Sequence, residues 1–366
     1  MTQRVAQRRS TGVRSAAVGS VLALAAGLAF VAGSAGPAAA IPAAAAVRAT
    51  EGCEGGGSAR DAAKAASVSA ATAAADAARP RSTAVGTAAE RISYSLPAQA
   101  PIGLWTESSV TLRTPVAKGG TVRLDVGSRG FSTDSLAVQR YAPESHRWVD
   151  LTPATSGSGS PQQAVFAFPL TTSASAAKPH TVALRFMDLD RPGTFTVTAS
   201  VTDGKGHTYR APARTATTTR PDASVSGWGA GTTLTRGGPA GEFTLTVKNT
   251  TDRAYPRPYA SYFAYGAGTG HALTPKDIDL QQYRPGHGWE RVRLVAGGCD
   301  PGMSATLRPA VNGPLAPGAT ATYRMRVAVA ASAPRDVTAA DAGVTAGNGD
   351  LSYFSRNLPF AIKGGK

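Results

Sequence analysis

Short runs of alternating apolar and polar residues recur along this chain. Val122, Leu124 and Val126 alternate with Thr121, Arg123 and Asp125, the period of a half-buried strand. Ala164, Phe166 and Phe168 form another face. Phe195, Val197, Ala199 and Val201 form a third, and Asp203-Gly204-Lys205-Gly206 then closes a hairpin onto a strand beginning at Thr208. Farther on, Phe243, Leu245 and Val247 alternate with Thr244, Thr246 and Lys248, and Leu315-Ala316-Pro317-Gly318 introduces a long alternating strand from Ala319 to Ala330. Many short strands separated by Pro/Gly turns predict an all-β chain of antiparallel sandwiches.

One pattern occurs twice. Val138-Gln139-Arg140-Tyr141-Ala142-Pro143 leads to Trp148, and Leu280-Gln281-Gln282-Tyr283-Arg284-Pro285 leads to Trp289. Each copy is followed by an apolar alternation, Val182, Leu184, Phe186 and Tyr323, Met325, Val327. The distance from Trp148 to Leu184 and from Trp289 to Met325 is the same, 36 residues. Agreement at three separated places predicts a duplicated module, one copy at 93–218 and one at 222–362. Measured from Val126 and Val247 to the tyrosine, the second copy carries extra length around Tyr255 to Thr274. The equivalent tryptophans are expected to pack in the core against the partner sheet.

Composition adds the compartment. The chain has 366 residues, 42% hydrophobic but only 17% charged. Arg4, Arg8, Arg9 and Arg14 precede an uncharged apolar stretch, Ala16 to Val31, and Ala38-Ala39-Ala40 is a small-residue cleavage site. Residues 1–40 therefore read as a signal peptide, with an uncleaved anchor as the alternative. The following Ala-rich segment, 41–92, reads as a low-complexity linker. Loss of four arginines lowers the formal charge from +15 to +11, which favours polyanionic neighbours such as cell-wall polymers and acidic polysaccharide. Past residue 15 the basic residues are dispersed, and no patch is readable. No nucleic-acid motif is present, and no transmembrane segment is expected once the signal is removed. The two cysteines, Cys53 and Cys299, are a candidate disulfide in an oxidising compartment, with free thiols or an intermolecular bond as alternatives.

Arg191-Pro192-Gly193-Thr194-Phe195-Thr196-Val197, Asp203-Gly204-Lys205-Gly206 and Leu315-Ala316-Pro317-Gly318 resemble the turn-and-strand signatures of bacterial immunoglobulin-like surface modules. The run from Val247-Lys248-Asn249-Thr250-Thr251 through Tyr255-Pro256, Leu280-Gln281 and Trp289 to Gly298-Cys299-Asp300-Pro301 resembles modules of secreted and wall-associated actinobacterial proteins. The resemblance implies two tandem immunoglobulin-like antiparallel β-sandwiches and a secreted or surface location. It carries over no catalytic residue. Asn357-Leu358-Pro359-Phe360 echoes a wall-sorting signal but lacks its Thr-Gly.

Candidate chemistry is sparse. Gly-x-Ser-x-Gly and phosphate-cradling glycine loops are missing from the sequence, and no cofactor is expected. His271, Asp277, Asp279 and His287 lie in one region without ligand spacing. Asp188, Asp190 and Asp203 read as turn caps, with calcium as the alternative. The expectation is a non-enzymatic extracellular binding or structural protein. The aromatic-rich segment 255–265 admits two readings. Phe263 and two of its tyrosines fill a core, or Tyr255, Tyr262 and Trp289 form a platform for sugar rings. The platform would make the second module a carbohydrate-binding domain; an enzyme accessory or hydrolase is the third reading.

Overall fold

A computed structural model describes residues 80, 83–154, 161–297, 302–309, 313–349 and 351–365. The signal-peptide segment, most of the linker, Cys53 and Cys299 lie outside them. The last linker residues that are described belong with the first sandwich: Val85 N donates to Thr111 Oγ1 at 3.0 Å, and Arg113 Nη2 to the carbonyls of Val85 and Gly86 at 2.8 and 2.9 Å.

The first sandwich contains β1 (Ile92–Ser95), β2 (Gln99–Pro101), β3 (Thr106–Leu112), β4 (Val116–Arg129), β5 (Leu136–Ala142), β6 (Arg147–Asp150), β7 (Gln163–Thr172), β8 (His180–Asp188), β9 (Gly193–Thr202), β10 (Thr208–Arg210) and β11 (Arg214–Thr219). The second contains β12 (Asp222–Ser226), β13 (Thr233–Thr235), β14 (Gly241–Lys248), β15 (Pro258–Tyr265), β16 (Ile278–Arg284), β17 (Gly288–Arg291), β18 (Val295–Ala296), β19 (Met303–Leu307), β20 (Thr320–Val329), β21 (Ala339–Asn348), β22 (Leu351–Asn357) and β23 (Phe360–Lys363).

The two have the same topology. One sheet of the first runs β1-β3-β8-β5-β6 and its counterpart runs β12-β14-β20-β16-β17. The opposing sheet runs β2-β11-β9-β4-β7 with β10 beside β9. Its counterpart runs β13-β23-β21-β15-β19 with β22 beside β21 and β18 added at the edge. Among the named strands, pairing is antiparallel except where β2 meets β11 and β13 meets β23, which run parallel; one isolated bridge, Arg236 to Val329, is also parallel. The fold is thus all-β, of the immunoglobulin-like sandwich class.

Register corrects one alignment. Val247 lies in β14, and β14 pairs Leu245 with Tyr323 as β3 pairs Val110 with Val182. The counterpart of Val247 is therefore Leu112, not Val126, which sits in β4 of the opposite sheet. Alternation marks both as strands, but only pairing distinguishes the sheets.

Each sandwich closes on its own core. Leu124, Leu184, Phe186 and Phe195 are buried in the first; Leu245, Tyr262, Tyr323 and Met325 in the second. Removing such side chains from water contributes about 1.5–3 kcal/mol each. One residue crosses over. Leu104, between β2 and β3, packs in the core of the second sandwich at 7% exposure. A turn delivers it: Leu104 N donates to Pro101 O at 3.1 Å, and Gly103 at its third position has φ +73°, as a type II turn requires. Three more bonds fasten the junction. Tyr255 Oη donates to Ile102 O at 3.1 Å, Arg253 Nη1 to Trp105 O at 2.8 Å and Arg220 Nη1 to Tyr353 O at 2.8 Å.

Candidate functional site

The aromatic platform does not assemble. Tyr255 is fully buried, edge-on to Tyr353 with centroids 5.6 Å apart, and its hydroxyl serves the junction. Tyr262 is 1% exposed and stacks on Phe243 at 6.3 Å. Burial pushes both phenols well above their ordinary pKa. A sugar reaches neither ring. The strand explains this: β15 turns Ala260, Tyr262 and Ala264 inward and Tyr259, Phe263 and Tyr265 outward. The expected core filling is also inverted, because Phe263 lies on the outer face. There it faces its register partner Gly343 on β21, where an added Cβ would sit 2.5 Å from its ring.

Trp148 and Trp289 are not core residues either. Both are half-buried on short edge strands, β6 and β17, paired with Tyr141 and Tyr283. Each packs edge-on to that tyrosine, at 5.5 and 5.6 Å. Above each lies an arginine from the polar positions of the long alternating strand: Arg185 is 4.4 Å from the Trp148 centroid and Arg326 is 4.6 Å from Trp289. Arg185 Nε donates to Gln139 Oε1 at 2.6 Å, and Arg326 Nε and Nη2 donate to Gln281 Oε1 at 3.0 and 2.6 Å. The repeated motif is therefore a Gln–Arg–Trp–Tyr stack on the outer face.

The copies differ in access. Trp105 covers the other side of Arg185 at 4.1 Å and leaves it 5% exposed. Arg326 is half-exposed, with Arg324 beside it over Tyr283 at 4.7 Å.

The acidic groups are mostly engaged in turns. Asp203 accepts from the backbone N–H of Lys205 and of His207, both at 2.9 Å. Asp277 accepts from Thr274 N at 2.8 Å, Asp279 pairs with Arg291 at 3.1 Å, and His271 Nδ1 lies 2.9 Å from Asp336. Among the described residues no group of three or more His, Cys, Asp or Glu gathers in metal-binding geometry. Asp188 is different. It is 1% exposed; Oδ1 accepts from Asp190 N at 2.9 Å, while Oδ2 has no hydrogen-bond partner among the described residues. Burial raises its carboxyl to about 6.

Sequence reading missed a basic cleft. Between β17, β18 and β19 lies an open hollow of about 520 Å³, lined by Arg284, Arg291, Arg293 and Arg308 with Glu290. Arg284 Nη1 donates to Pro309 O at 3.2 Å, and the buried Gln282 receives Arg308 N at 3.1 Å. These contacts bring the Arg308 backbone against β16. The arginines come from separate strands and loops, so dispersion in sequence hid their convergence.

No family profile and no curated protein matches this chain. Among solved structures, the C-terminal domain of the Streptococcus pyogenes antigen I/II-family protein AspA is 9% identical, with 74% of this chain and 99% of that chain covered and a TM-score of 0.38. The C-terminal domain of the Streptococcus agalactiae antigen I/II polypeptide BspA is 10% identical, covering 73% and 95%, with a TM-score of 0.34. AvmM, which catalyses macrocyclization in alchivemycin A biosynthesis, is 14% identical over 40% of this chain and 90% of its own, with a TM-score of 0.31. With TM-scores this low, these likenesses decide neither ligand nor activity.

Proposed function

We propose that this is an exported, non-enzymatic binding and structural protein of the cell surface or its surroundings. In this reading a signal peptide at 1–40 and a linker at 41–92 precede two sandwich modules at 93–218 and 222–362. The observation that carries it is the junction: Leu104 of one sandwich is buried in the core of the other, with Tyr255 and Arg253 bonded across. Such a junction holds two sandwiches in fixed relation and suits a protein that presents surfaces. The partners proposed are anionic wall polymers or polysaccharide, drawn by an excess of Arg and Lys over acids.

Sedimentation of the mature protein with purified cell walls over a salt series tests this. Association at about 0.1 M salt should be largely released at about 1 M, where the Debye length falls from about 10 Å to about 3 Å. The half-exposed Trp289 with Arg324 and Arg326 supports a second reading, stacking on neutral sugars. Retention in high salt together with loss on Trp289→Ala would replace the first reading by the second. Tyr262→Ala reports on stability instead, because that ring is in the core.

A further inference from the structure

We propose that the arginine-lined cleft between β17 and β19 binds an acidic sugar unit of an anionic polysaccharide. The inference rests on the surface-polymer reading above and gives it a specific site. The hollow, about 520 Å³, falls within the roughly 300–1,000 Å³ of ordinary ligand sites. Four guanidinium groups line it against one carboxylate, Glu290. Of these, Arg291 is paired with Asp279 at 3.1 Å. Among the described residues neither Arg293 nor Arg308 forms a salt bridge, and both are exposed. Four guanidinium groups against Glu290 and Asp279 leave positive charge in excess; like charges repel one another, and an oxyanion placed among them relieves that repulsion. Arginine suits the task, since its planar fork binds carboxylate, sulfate or phosphate through two parallel bonds.

The remainder of the lining favours a sugar over a bare oxyanion. On β19, Ser304 and Thr306 alternate outward between the buried Met303, Ala305 and Leu307, and both hydroxyl-bearing residues line the cleft. Val295 is 56% exposed and is the register partner of Ser304. An apolar patch beside hydroxyls and guanidinium groups matches a sugar ring, which presents C–H, O–H and an acid within one unit.

The experiment is affinity electrophoresis of the full-length protein in gels containing polygalacturonate, polyphosphate or neutral dextran at low salt. Arg293→Ala with Arg308→Ala should weaken polygalacturonate binding by about tenfold or more, on the order of 1.4 kcal/mol. A charge-matched control, Lys118→Ala on an exposed position of β4 with Lys205→Ala in the exposed turn before β10, should change it less than about twofold. Ser304→Ala should weaken polygalacturonate but not polyphosphate. Circular dichroism checks that each variant is folded. Equal losses in the two double variants would overturn the site while leaving the diffuse surface reading intact. Polyphosphate bound as tightly as polygalacturonate, with no response of either to Ser304→Ala, would overturn the sugar assignment. Absence of binding to either polyanion would overturn both this inference and the reading beneath it.

Discussion

Leu104→Ala should destabilise the second sandwich, although the residue belongs by sequence to the first. The side chain is 7% exposed and packs with the second core. Truncating a buried leucine costs about 2–5 kcal/mol, depending on how far the surroundings collapse into the space. Leu104 follows a turn instead of sitting mid-strand, so the backbone has room to settle, and the lower half of that range, about 2–3 kcal/mol, is expected. At about 1.4 kcal/mol per tenfold, opening of the second sandwich should rise roughly 30- to 150-fold. Hydrogen exchange read by mass spectrometry measures this directly: amides of β14 and β20 should lose protection by that factor. Leu104→Met, which keeps the volume, should cost less than about 1.5 kcal/mol. A loss confined to β3 and β8, or a change below about 1 kcal/mol, would refute the claim that this side chain ties the two sandwiches together.

Tyr262→Ala should cost about 3–5 kcal/mol in urea unfolding, as for other large core aromatics. Trp289→Ala should cost only about 1–2.5 kcal/mol, the sum of a partly exposed cation–π contact and one edge-on aromatic pair; equal costs would show that Trp289 is a core residue after all. Asp188 gives a pH signature. Its folded value of about 6 lies above the ordinary 3.8, so the folded protein keeps a proton that the unfolded chain has already released between these values. That contribution is fully present below the unfolded value and is lost as pH rises through about 6. Asp188→Asn should therefore remove a decline on the order of 2–3 kcal/mol between about pH 4 and pH 7; an unchanged slope in urea midpoints across that range would refute the assignment.

The strands were legible because their burial alternates with period two. Tyr323, Met325 and Val327 point inward in β20, as the sequence implies, and Asp203-Gly204-Lys205-Gly206 turns β9 into β10 with Gly206 at φ +88°. The side of the sheet on which the tryptophans lie was not legible. Their exposure depends on which strands flank them, and a half-buried indole beneath a guanidinium looks like a core residue in sequence. The signal was nevertheless present: Arg185 and Arg326 occupy matching polar positions between the apolar residues of the two long runs. The basic cleft left no such trace, because Arg293 and Arg308 are brought together by the pairing of β18 with β19 and by the bonds from β16 to the Arg308 and Pro309 backbone. Nor does Ile102-Gly103-Leu104 announce a partner, since an apolar turn residue carries no label for the core it enters.

The parallel strand pairs have a mechanical consequence. Near its beginning and at its end each sandwich contributes one strand to the same parallel pair: Gln99 to Pro101 lies along Thr217 to Thr219, and Thr233 to Thr235 along Ala361 to Lys363. Because the two strands of each pair run in the same direction, the incoming chain joins one end of the pair and the outgoing chain leaves from the other. Once β1 or β12 has peeled away, tension along the polypeptide pulls the paired strands lengthwise past each other, loading their cross-links together instead of opening them one at a time. Resistance to such a pull is governed by the unfolding barrier, not by equilibrium stability. Each sandwich thus carries a shear clamp between its entry and exit, the arrangement expected of a module that bears load in line with its own chain.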